Sequence, residues 1–81
     1  MSITLYSKPR CVQCDATKRA FAKQGIAYQE IDMTQDPSAL EYVKGMGFKQ
    51  APVVVAGDDA WSGFRPDKIK SIVAQSAIAS A

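Results

Sequence analysis

Apolar residues recur along this chain at two spacings, one suited to strands and one to helices. Ile3-Thr4-Leu5-Tyr6 alternates apolar and polar among β-formers and predicts a short strand. Ser7-Lys8-Pro9-Arg10 breaks it. From Cys11 through Phe21 the chain runs without Gly or Pro, and Gly25 supplies a stop, which predicts a helix of about three turns. Ala27–Ile31 reads as the next strand, with Tyr28 and Ile31 among its β-formers. Asp36-Pro37 opens a second helix, because Asp accepts from orphan amides and Pro suits the first helical position. Leu40, Val43 and Met46 give that helix a stripe expected to be buried, and Gly45 and Gly47 mark its end. Val53-Val54-Val55 reads as a buried strand. Gly57-Asp58-Asp59 is a hairpin turn into a short strand around Ala60-Trp61. Pro66-Asp67 opens the last helix, with Ile69, Ile72 and Val73 on one face, and the end from Ser76 to Ala81 is expected to fray.

The predicted order is β-α-β-α-β-β-α. A βαβ unit packs its crossover helix on a parallel sheet, and the closing hairpin adds antiparallel strands. The expectation is an α/β fold, a four-stranded mixed sheet with three helices distributed over both faces. At 81 residues it forms one domain, spanning 1–81. A core of this size leaves a stability of about 5 kcal/mol.

Charge changes this picture little. The formal net charge is +2, and the cations Lys18, Arg19, Lys23, Lys44, Lys68 and Lys70 are dispersed at helix-face spacings. They read as solvated faces, with no nucleic-acid partner. No stretch approaches the roughly 18 to 20 apolar residues that span a bilayer, and the start of the chain lacks a basic leader and a long apolar run. The expected location is the cytoplasm, where thiols stay reduced.

That setting gives the two cysteines their meaning. Cys11 and Cys14 lie three positions apart, so a bond between them constrains little of the unfolded chain. Cys11-Val12-Gln13-Cys14 follows a strand and opens a helix, where orphan amides favour a thiolate over a thiol. The effect is strongest at the first position, so Cys11 is expected to attack, with a pKa below the ordinary thiol value, and Cys14 to resolve. Lys8 and Arg10 add positive charge at that end, and Asp15 opposes them. Three other readings compete with a redox dithiol. A structural zinc site wants four ligands, and this chain has no His and no third Cys, so only two chains sharing their pairs would complete one. A cysteine hydrolase needs a base such as His. Two inert buried thiols fit poorly with a helix-opening position.

Two further segments stand out. Gln50-Ala51-Pro52 precedes the third strand, where Pro is tolerated because it donates no ladder bond. Trp61-Ser62-Gly63-Phe64-Arg65-Pro66 places two aromatics and an Arg at the entry to the last helix. It reads either as a plug under that helix or as a docking surface beside the dithiol.

Together, Tyr6-Ser7-Lys8-Pro9-Arg10-Cys11-Val12-Gln13-Cys14, Gln50-Ala51-Pro52-Val53-Val54 and Trp61-Ser62-Gly63-Phe64-Arg65-Pro66-Asp67 resemble the NrdH-redoxins, over essentially the whole chain. The resemblance implies a thioredoxin-like fold of the glutaredoxin type, with a cis Pro52 lying against the dithiol. It implies electron donation to the large subunit of class Ib ribonucleotide reductase by a monomer that binds no cofactor or metal and takes electrons from NADPH through thioredoxin reductase. Lys8, Val12, Gln13, Ala51, Pro52, Trp61, Phe64 and Arg65 are the expected partner-binding residues. The alternative is a glutathione-dependent glutaredoxin. Those proteins hold glutathione with a basic residue before the dithiol, a Thr-Val-Pro segment and a Gly-Gly plus paired-Asp segment. Lys8 matches the first, Gln50-Ala51-Pro52 departs from the second, and Gly63 and Asp67 alone remain of the third.

Overall fold

The computed structural model describes residues 3–57 and 59–80, with residues 74–80 as backbone only. Its elements are β1 (Ile3–Ser7), α1 (Val12–Lys23), β2 (Gln29–Asp32), α2 (Pro37–Gly45), β3 (Val53–Ala56), β4 (Asp59–Ser62) and α3 (Pro66–Ser80). The strands form a mixed sheet in the order β2-β1-β3-β4. β1 pairs parallel with β2, through Thr4 with Gln29 and Ser7 with Asp32. It pairs antiparallel with β3, through Leu5 with Val54, and β3 closes the hairpin with β4, through Val54 with Trp61. This is the mixed four-stranded sheet expected from the order of elements, in the thioredoxin-like, glutaredoxin-type arrangement that the resemblance implies.

The period of two in the strands divides the core. Ile3, Leu5, Val54, Ala56 and Trp61 pack on one face with Phe21 of α1 and Ile69 and Ile72 of α3. Tyr6 and Val53 point to the other, against Met33 and against Ala39 and Val43 of α2. Leu5, Phe21, Val53 and Val54 are wholly shielded from solvent. Each such side chain contributes about 1.5–3 kcal/mol on burial.

Element boundaries moved where caps or pairing decide them. β2 begins two residues later than the Ala27 expected for it. Ile26 N–H bonds back to the Phe21 carbonyl at 2.9 Å and Tyr28 packs on Phe21 with ring centroids 5.0 Å apart, so this stretch closes α1 before pairing starts. Gly25 adopts φ +69°, the left-handed conformation that suits glycine after a helix. In α2 the buried residues are Ala39 and Val43, whereas Leu40 is 38 % exposed and Met46 is the half-buried C-cap. The expected Leu40 stripe is therefore corrected. A 3.6-residue turn carries position 40 to the helix flank, beside a surface cavity rather than under the sheet. Asp58 lies outside the described residues, as do the side chains of the end expected to fray. The backbone of α3 is helical to Ser80.

Candidate active site at the dithiol turn

β1 ends in the centre of the sheet and delivers the chain to the site. Arg10 turns it with φ +57°, in the left-handed region that non-glycine residues seldom enter. Cys11 follows in extended conformation (φ −113°, ψ 105°) and caps α1. Its Sγ accepts from the Cys14 N–H at 3.1 Å, so it sits on the orphan amides that the helix start provides. Cys11 and Cys14 are joined as a disulfide, with Cα atoms 5.2 Å apart. Cys11 keeps 8 % of its surface accessible and Cys14 only 1 %, so an incoming sulfur meets Cys11 first.

The expected site residues divide between the surface over Cys11, where Lys8, Val12, Gln13 and Ala51 lie, and the segments around it. A cavity of about 400 Å³ opens over Cys11, lined by Lys8, Arg10, Val12, Gln13, Gln50 and Ala51 among others. Val12 is 79 % exposed at its rim. The Ala51–Pro52 bond is cis and Pro52 is buried. Trp61 is buried in the core (3 % exposed), whereas Phe64 is 39 % exposed. Arg65 forks onto its neighbour Asp67, with Nε and Nη2 donating to the two carboxylate oxygens at 3.1 and 2.9 Å. That pairing raises the Arg65 pKa and lowers that of Asp67, first through the side-chain hydrogen bond. Arg65 is thus an exposed cation paired with the first turn of α3.

The backbone around Gly63 links these segments. Gly63 N–H donates to the Pro52 carbonyl at 2.8 Å, and Phe64 N–H donates to Gln13 Oε1 at 3.2 Å. A Cβ on Gly63 would meet Gln13 Oε1 at 3.2 Å, and its φ of +82° disfavours other residues. The dithiol turn, the cis-proline strand and the Phe64 loop therefore form one bonded unit. Gln13 is exposed and lines the cavity over Cys11, and its side-chain carbonyl also accepts from the Phe64 loop, a bond that local sequence gives no signal for.

Sequence reasoning also missed a chain of polar contacts behind the site. Buried Ser7 donates from Oγ to Glu30 Oε2 at 2.8 Å, and Lys18 Nζ reaches the same oxygen at 3.1 Å and Asp15 at 3.6 Å. Lys18, expected to be a solvated cation, has a raised pKa, mainly through its hydrogen bond to Glu30. Its ammonium also offsets the Asp15 carboxylate in the first turn of α1, which otherwise opposes a thiolate. Glu30 gave no signal in sequence because the register of β2 on β1 is what brings it to Ser7. Among the described residues there is no group of three or more His, Cys, Asp or Glu placed to hold a metal ion, and no helix is long and apolar enough to cross a membrane.

Similarity to known proteins agrees with this site. Residues 3–61 match the Glutaredoxin family. The glutaredoxin-like protein NrdH of Escherichia coli strain K12 is 49 % identical over 72 residues, 89 % of each chain. The Lactococcus lactis subsp. cremoris NrdH is 40 % identical over 86 % of this chain and 97 % of its own. The solved structure of the Escherichia coli NrdH-redoxin superposes with a TM-score of 0.86 at 49 % identity, covering 88 % of this chain and 93 % of that one. A cysteine pair at a capped helix start on this fold is the redox motif of thiol–disulfide oxidoreductases. The chain belongs to the glutaredoxin family and, within it, to the NrdH-type glutaredoxin-like redox proteins.

Proposed function

We propose that this chain is a cytosolic, monomeric, single-domain electron carrier that reduces a disulfide on the large subunit of class Ib ribonucleotide reductase and is itself renewed by NADPH through thioredoxin reductase. The Cys11 thiolate attacks one sulfur of the target disulfide, and the other target sulfur leaves as a thiolate. Cys14, as thiolate, then attacks Cys11 Sγ and expels the second target sulfur. One disulfide is reduced to two thiols by two electrons and two protons, and Cys11–Cys14 is oxidised in exchange. The chain binds no cofactor of its own.

The observation that carries this reading is the exposed Phe64 hung on the dithiol turn by Gln13. A half-exposed aromatic on a rigid loop beside a nucleophile suits recognition of a protein surface. The partner class is what the resemblance to the NrdH-redoxins implies, and the Escherichia coli NrdH-redoxin, whose described activity profile is thioredoxin-like, supports renewal by thioredoxin reductase. The glutathione reading keeps one support, since Lys8 lines the cavity over Cys11. Against it stand the Gln50-Ala51-Pro52 segment and the reduced Gly and Asp set before α3.

The test is a trap. Cys14→Ser, once reduced, is expected to accumulate a mixed disulfide with the large subunit, resolvable by mass spectrometry and released by dithiothreitol. Cys11→Ser is expected to trap nothing. Normal turnover of the reductase by Cys14→Ser would refute the assigned roles.

A further inference from the structure

We infer that the groove beside Cys11 binds an extended acidic peptide segment bearing one apolar side chain, which flanks the disulfide to be reduced. The inference rests on the reading of Cys11–Cys14 as a dithiol acting on protein disulfides, and it names the chemistry of the segment recognised.

The cavity over Cys11 does not end at the dithiol. A second cavity, of about 140 Å³, adjoins it and shares Lys8, Lys49, Gln50 and Ala51 with it. Its floor is apolar, from Met33, Val43 and Phe48, with the exposed side chain of Leu40 at its edge. An engineered cavity of about 150 Å³ lined by apolar side chains holds a benzene, so this one suits a single Leu-sized group. Cations mark the combined groove. Lys8, Arg10, Lys44 and Lys49 line its two parts, and among the described residues that line it there is no carboxylate.

This local excess is out of proportion to a chain of net charge +2. Elsewhere on the surface Lys18, Arg65 and Lys68 sit opposite acids, at 2.9–3.6 Å, while Arg19, Lys23 and Lys70 have no such partner among the described residues but line neither cavity. None of the four groove cations has a carboxylate within ion-pair distance among the described residues. Charge of one sign around an open cleft attracts the opposite sign and raises the encounter rate. A nucleic acid would satisfy the charge but brings no sulfur to Cys11. A peptide carries both the disulfide and the carboxylates, and an extended segment can follow the groove along Gln50 and Ala51, which line both of its parts just before β3.

The experiment compares three synthetic peptides with the same intramolecular Cys-x-x-Cys disulfide, using the intact reduced protein. The first carries Asp and Glu beside the cysteines and one Leu. The second replaces the Leu with Ser, and the third replaces the carboxylates with amides. At low ionic strength the acidic peptide is expected to be reduced about tenfold faster than the amide peptide. That advantage is expected to shrink in roughly 0.5 M salt, where the Debye length falls to a few ångströms. The Ser peptide is expected to lose about threefold or more from the same rate, the scale of one apolar group leaving a pocket. In Lys44→Gln/Lys49→Gln the ratio of acidic to amide rates is expected to move toward one.

Equal rates for the three peptides, with hydroxyethyl disulfide reduced normally, would overturn the groove alone. Glutathione disulfide reduced as fast as the acidic peptide would also overturn it. Failure to reduce hydroxyethyl disulfide and every peptide would overturn the redox reading beneath it as well.

Discussion

At Cys11 the electrostatics of one helix terminus decide the chemistry. Its sulfur takes the Cys14 amide as a donor, and Lys18 meets the one carboxylate in the first turn of α1. A thiolate formed there on reduction is stabilised by the same amides. Alkylation rate against pH in the reduced protein is expected to show Cys11 titrating below the ordinary thiol value of about 8.5 and Cys14 above it. A Cys11 that titrates higher would contradict the account. Gln13 offers a second residue-level test. Gln13→Met keeps the length of the side chain but loses the acceptor for Phe64 N–H. It is expected to raise KM for the protein partner more than for hydroxyethyl disulfide, and Gln13→Glu, which keeps an acceptor, is expected to recover part of the loss. Parallel loss on both substrates would mean that Gln13 acts only in folding. The cysteines were legible in sequence because their chemistry needs only spacing and a helix start. The bond between Gln13 and the Phe64 loop was not, because its partner lies 51 residues away.

Elements show the same division between local and long-range causes. The Asp36 cap was readable from Asp-Pro, and it forms as expected. Asp36 Oδ1 accepts from Ser38 N–H, Ser38 Oγ and Ala39 N–H at 3.1, 2.7 and 3.2 Å. These bonds, led by the Ser38 hydroxyl, hold its carboxyl below the ordinary 3.8. A depressed carboxylate pKa contributes stability that is present above the unfolded value and lost as pH falls through the folded one. Asp36→Asn is therefore expected to flatten the loss of stability on acidification below about pH 4, measured by urea midpoints across that range. An unchanged acid limb would show that the cap contributes nothing. In the Trp61–Pro66 segment, sequence left plug and docking open, and the fold divides them by residue. Trp61 is a core side chain whose Nε1 has no hydrogen-bond partner among the described residues. Trp61→Ala is expected to cost about 3–5 kcal/mol, and Trp61→Phe much less, because it also removes a buried orphan donor. Denaturant unfolding with equal losses in the two would contradict this. The hairpin register was beyond local patterning, since Val54 opposite Trp61 is set by the whole sheet.

For the whole molecule, the arrangement is economical in what it asks of 81 residues. One sheet carries the dithiol turn after β1, the cis-proline just before the neighbouring β3 and the Phe64 loop after β4, and two hydrogen bonds join them. The fold class was legible because each element has a local signal and their order admits few topologies. The basic groove was not, because Lys8, Arg10, Lys44 and Lys49 come from two separate stretches of chain that only α2 and β3 bring together. The most direct test of the account is the source of electrons. NADPH oxidation is followed with the protein, a class Ib ribonucleotide reductase and either thioredoxin reductase or glutathione with glutathione reductase. Fast oxidation is expected with thioredoxin reductase and little above background with glutathione. Efficient turnover through glutathione, with thioredoxin reductase inactive, would contradict the account and place the protein among the glutathione-dependent glutaredoxins.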